Sequence, residues 1–134
     1  MIRHQAQPNS TTCVHTCWAM LSGWTVDQVI ELAGTDDGLS WQAEYELANK
    51  IGMFFNICTM PQLFPDHYHV VTVPSLNIEG GTHRMILHWK LGGRKIVVYD
   101  PNQGRENAKF YTAETLKSYT DVWIVLPEFS KAEV

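Results

Sequence analysis

The sequence predicts an α+β domain in which a helical layer packs on a mostly antiparallel β-sheet. Three observations predict it. The first 52 residues hold three segments of helical periodicity, each opened by Ser or Thr and closed by Gly. From residue 53 onward, the apolar residues fall in short runs separated by Gly, Pro and Asn. Two of those runs, 83–89 and 95–99, are joined through Leu91-Gly92-Gly93-Arg94 as a hairpin. A length of 134 residues with 45% apolar content fits one domain with one core.

The elements follow in order. Ser10, Thr11 and Thr12 are placed to cap a helix through CVHTCWAML that stops at Gly23. Thr25, with Gln28 three residues on, forms a capping box for a second helix ending at Gly34. Ser40 opens a third, WQAEYELANKI, which Gly52 stops. MFFNIC (53–58), HVVTV (69–73), HRMILHW (83–89) and KIVVY (95–99) read as strands. Thr112 caps a short helix, AETLKSY. DVWIVL (121–126) is the expected closing strand, ended by Pro127. The single domain spans 1–134, with its core at about 5–126 and a polar, mobile tail at 129–134.

Composition restricts function. The net charge of −4 leaves no basic footprint for nucleic acid and argues against an anionic membrane surface. No apolar run has the length of a bilayer span. MIRHQAQPNSTTC has no signal-type hydrophobic region, so a cytoplasmic protein is expected, with effector-type export left open. Three cysteines are too few for a disulfide scaffold, and their number is odd. They are expected to remain thiols.

Cys13 stands out among them. It follows the capping residues at the start of a helix, where free N–H groups and the helix dipole stabilise a thiolate. Cys17, one turn on, reads as a packing residue, and Cys58 falls in an apolar strand. A base is needed. His4 lies in a flexible end, and His15 points to a different helix face from Cys13. His83 begins the first arm of the hairpin and Asp100 ends the second, so hairpin register brings them together. A carboxylate there holds one imidazole nitrogen and leaves the other free to take a proton. His88, five residues after His83, faces the opposite side of the strand. The plainer alternative is that Cys13 is a small buried hydrophobe and Asp100 only initiates the turn YDPNQG.

QPNSTTCVHTCWAMLSG (7–23) resembles the opening motif of the bacteriocin-processing peptidases, papain-like enzymes that cut after double-glycine leaders. In that motif a Gln stands six residues before the nucleophilic Cys, as Gln7 does before Cys13; Cys17 and Ala19-Met20-Leu21 also match in place. GGTHRMILHWKLGGRKIVVYDPNQG (80–104) is similar to the second motif, in which a His opens an apolar strand and the next strand ends in Asp-Pro. VTVPSLN (71–77) resembles the strand leading into the His. The resemblance implies a papain-like fold and a thiol peptidase acting on a peptide or protein, without cofactor or metal. It implies Cys13 as nucleophile, His83 as base and acid, Asp100 as orienter, and Gln7 as oxyanion donor beside the Cys13 N–H. Gln5, at an offset of eight, fits the donor role less well. Two positions differ. Val14 stands where Gly follows the nucleophile and is expected to crowd the substrate; Arg84 stands where an apolar residue is common.

Three rival readings remain. Cys13, Cys17, His67 and His69 form a loose Cys2His2 zinc pattern. A papain-like domain without chemistry can serve as a peptide-binding module. The same triad also runs deamidation or acyl transfer, because each passes through a thioester.

Overall fold

A computed structural model describes residues 2–118 and 125–133 of the chain. Its elements are α1 (Cys13–Ser22), α2 (Val26–Ala33), α3 (Trp41–Ile51), β1 (Asn56–Ile57), β2 (His67–Pro74), β3 (Thr82–Lys90), β4 (Lys95–Tyr99), α4 (Ala113–Ser118) and β5 (Leu126–Ala132). The five strands form one antiparallel sheet in the order β1-β5-β2-β3-β4, so the protein is α+β.

Local chemistry sets the helix ends. The Thr25 hydroxyl accepts the Gln28 N–H at 3.2 Å, and the Gln28 side chain returns to the Thr25 N–H at 2.9 Å. Ser40 accepts from the Ala43 N–H. Each of α1, α2 and α3 ends at a glycine, Gly23, Gly34 or Gly52, whose left-handed backbone turns its N–H back onto the last turn.

Strand alternation sorts the core. Val70, Ile86 and Phe129 face α1 and pack with Val14, Cys17, Trp18 and Met20. Val71, Val73, Met85 and Leu87 line the other face beneath Tyr111 and Leu116. The β3–β4 hairpin closes with Lys90 opposite Lys95. Gly93 is required there, because a Cβ would meet the Trp89 ring at 3.0 Å and the backbone has φ +87°.

The strands depart from expectation at several points. β2 starts two residues before the predicted His69. Only Asn56–Ile57 of the predicted 53–58 strand forms ladder pairs, opposite Ser130 and Phe129 at the edge of the sheet, and the Cys58 N–H adds a bond to the Glu128 carbonyl at 2.9 Å. Phe55 turns instead onto the rings of Trp18 and Phe129, and Phe54 is left 90% exposed. Residues 121–124 of the predicted closing strand lie outside the described residues.

Pro127 does not end that strand, and 129–134 is not simply a mobile tail. β5 passes through Pro127 and inserts beside β2. Val70 pairs with Phe129 and Val71 with Pro127, so Glu128 is an extra residue at a bulge, where a missing N–H is tolerated. Phe129 and Ser130 are buried at 1% and 3% exposure, which ties the segment down.

One further feature positions chemistry. β3 pairs with β4 only from Ile86 onward, so residues 82–85 extend past the end of β4. The N-terminus of α1 occupies that gap, and the Gln7 N–H reaches the Pro101 carbonyl there at 2.7 Å.

Candidate active site

Cys13 is the first residue of α1 and is partly exposed. Thr12 precedes it at the cap position, but its hydroxyl makes no capping bond. It donates to Asn9 Oδ1 at 2.8 Å, so the expected threonine cap is not formed. The reason is local: Asn9 Oδ1 also collects the Thr11 N–H and hydroxyl, folding the 9–12 turn onto itself. The sulfur instead lies against the His83 ring and the backbone amides of Arg84 and Val14, all of which favour its thiolate.

His83 is 6% exposed and Asp100 is fully buried. The carboxylate is held from three directions. His83 Nε2 meets Oδ1 at 2.5 Å, the Asn102 N–H donates to Oδ1 at 2.9 Å, and the Tyr111 N–H donates to Oδ2 at 2.7 Å. With Nε2 engaged by Asp100, Nδ1 is the nitrogen left for the sulfur. His83 belongs to the Met85–Leu87 face, whereas α1 packs on the Ile86 face. Cysteine and histidine therefore meet around the free edge of β3, where β4 has stopped.

Electrostatics favours charge separation. Burial acts to discharge the His83 ring, but the bonds to Asp100 and Cys13 outweigh it and raise its pKa to about 9. Burial likewise acts to raise the Cys13 thiol; the imidazole and the two backbone N–H groups outweigh it and lower the thiol from 9.0. The resting pair is thereby biased toward thiolate and imidazolium.

Gln7 is buried at 2% exposure and is drawn to the site by its backbone bond to Pro101. Its Nε2 donates to the Asn9 carbonyl at 2.6 Å, which leaves the second N–H of that amide, like Oε1, without a partner among the described residues. Gln5 is committed elsewhere, bonding the Trp24 carbonyl and the Val26 N–H. Val14 does not project beside the sulfur: it is 7% exposed and packed into the core, because position 14 lies on the inner face of α1.

The remaining cysteines and histidines have other surroundings. Cys17 is fully buried, and burial pushes its thiol well above 9.0. Cys58 lies just past β1, where burial raises its thiol. His15 bonds the Thr35 carbonyl, and His88 stacks on Tyr68 at 4.0 Å on the sheet face opposite His83. The zinc pattern is not assembled. His67 lies six residues from Val73, the partner of His83 in β2, about 20 Å along the strand. Among the described residues, no cluster of His, Cys, Asp and Glu is placed to hold a metal. Cavities of about 270 and 310 Å³ lie beside Cys58 and beside Tyr68 and His88, away from the Cys13 sulfur.

Four participants escaped the sequence reading. His4, expected in a flexible end, bonds the Asp100 carbonyl at 2.8 Å. Asn102 lies 3.5 Å from His83 Nε2 and is held by Arg105. Tyr111 completes the carboxylate cage, and Asn9 organises the turn before Cys13. Only Asn102 had a signal, since Asp-Pro-Asn-x-Gly reads as a turn in which Asp100 bonds two residues ahead. Among the described residues, no helix is long and apolar enough to cross a membrane. Neither a scan against protein-family models nor a search of curated proteins produced a match.

Proposed function

We propose that the chain is a papain-like thiol hydrolase that cleaves peptide or related amide bonds through Cys13, His83 and Asp100. The observation that carries this reading is the continuous relay from a sulfur at a helix N-terminus, through a buried imidazole, to a caged carboxylate. A sulfur, base and orienter in contact is the arrangement required for nucleophilic acyl transfer.

The steps follow from the atoms. The Cys13 thiolate attacks the acyl carbon and forms a C–S bond, moving the carbonyl electron pair onto oxygen. The Cys13 N–H and the free N–H of Gln7 Nε2 are the donors offered to that oxyanion; one such donor contributes about 3 kcal/mol in comparable sites. Imidazolium His83 gives its proton to the leaving nitrogen as the C–N bond breaks, which leaves a thioester. His83 then takes a proton from water, hydroxide adds to the thioester carbon, and the C–S bond breaks to restore the thiolate. Asp100 keeps its proton inventory unchanged and fixes the ring.

The core position of Val14 removes an obstacle to a substrate backbone lying against the helix tip. A peptide or protein is therefore the proposed substrate class. The test is Cys13→Ala assayed on a peptide library alongside the wild type. The variant is expected to keep the fold and lose turnover; equal turnover in both overturns the assignment.

A further inference from the structure

Beneath the sulfur lies a buried charged network. Arg84 is 12% exposed and Glu44 1%. The guanidinium donates to Glu44 Oε1 at 2.6 Å, lies 3.4 Å from Glu128 Oε1, and donates to the Thr72 hydroxyl. Glu44 Oε2 accepts the indole N–H of Trp18 at 3.0 Å. The network joins α1, α3, β2, β3 and β5 at one point. A pair buried to this degree is weak evidence for stability alone, since apolar residues of similar size often replace it without loss.

Its placement says more. Trp18 belongs to the helix that carries Cys13, and Arg84 directly follows His83. The Arg84 backbone amide also lies against the Cys13 sulfur and favours its thiolate. The side chain of Arg84 ties β3 to Glu44 of α3, which in turn holds Trp18 of α1, while the Arg84 amide lies against the nucleophile at the free edge.

We propose that Glu44 and Arg84 form a positioning pair that holds the Arg84 N–H on the Cys13 sulfur and keeps α1 in register with His83. The pair does not touch substrate. It acts by fixing a backbone donor to the thiolate and the spacing between sulfur and imidazole. This deepens the hydrolase reading and rests on it. The charged and titratable groups around the sulfur are His83 and Arg84 on β3, Asp100 after β4, Cys17 on α1 and Glu44 on α3, with Glu128 of β5 beyond Arg84.

The experiment is the pH dependence of iodoacetamide alkylation at Cys13, read by mass spectrometry on the full chain, with denaturant unfolding in parallel. The variants are Glu44→Gln, Arg84→Met, the double Glu44→Met/Arg84→Met, and His83→Ala. Loss of the pair is expected to raise the alkylation midpoint by about one pH unit and to slow alkylation at neutral pH about tenfold. Arg84→Met leaves Glu44 buried and unpaired and can fail to fold, whereas Glu44→Gln leaves Arg84 beside Glu128; the double variant removes both buried charges and is expected to regain stability without regaining the wild-type midpoint. A folded double variant with the wild-type midpoint overturns the proposal, and so does a double variant that cannot fold, because the pair is then a structural requirement. If His83→Ala raises the midpoint and the pair variants do not, this inference alone fails. A wild-type midpoint that His83→Ala leaves unchanged overturns the hydrolase reading and this inference with it.

Discussion

Replacing Asp100 by Asn tests the relay at its buried end. The carboxylate accepts from His83 Nε2, the Asn102 N–H and the Tyr111 N–H with no solvent access. An amide oxygen can keep two of those donors, but its NH2 group must then oppose the third. A buried donor left facing a donor costs about 1–3 kcal/mol, so the variant is expected to fold with reduced stability. The larger consequence falls on His83. Its rise from 6.5 to about 9 corresponds to about 3 kcal/mol of preference for imidazolium, shared between Asp100 and Cys13. Removing the carboxylate withdraws the larger share of that preference and lowers the ratio of thiolate–imidazolium to neutral pair about tenfold or more. Iodoacetamide labelling of Cys13 at pH 6 reads this directly, because an unassisted thiol is almost silent there. Asp100→Asn is expected to label about tenfold more slowly than wild type. Equal labelling rates in a folded variant would refute the claim that Asp100 governs the charge on His83.

Other perturbations separate packing from chemistry. Cys17→Ala removes a fully buried sulfur from the α1 core and is expected to cost about 1 kcal/mol in urea unfolding while leaving Cys13 labelling unchanged. Phe129→Ala empties a 1% exposed ring site between α1 and the sheet and is expected to cost about 3–5 kcal/mol, measured as a lowered urea midpoint at constant slope. His69 is fully buried, accepts the Phe64 N–H, and is held down to about 4 mainly by burial. Its folded pKa lies below the unfolded 6.5, so its contribution is complete above 6.5 and is lost as pH falls toward about 4. That loss amounts to about 3 kcal/mol, and His69→Gln is expected to flatten this part of the stability profile.

The helices were legible because their signals are local. The capping box of Thr25 and Gln28 and the cap at Ser40 involve residues three apart, and each helix stop needed only one glycine. The β3–β4 hairpin was legible for the same reason: four turn residues set its register and brought Asp100 toward His83. β5 was hidden because Pro127 reads as a stop in isolation. Its tolerance at the bulge depends on β2, more than 50 residues earlier in the chain. The Thr12 cap misled because Asn9 competes for the same hydroxyl. The cage around Asp100 was out of reach, since Tyr111 lies beyond a loop whose return carries no periodic pattern.

By itself, the sequence determined which residues carry reactive groups and which short segments become helices or turns, because those depend on neighbours a few bonds away. It also determined that His83 and Asp100 share a hairpin end. Only the tertiary structure decided that α1 enters the gap beyond β4, that β5 fills the sheet between β1 and β2, and that Arg84 finds Glu44 across the core. Those outcomes depend on which surfaces exclude water together, and that is a property of the assembled layers rather than of any one segment.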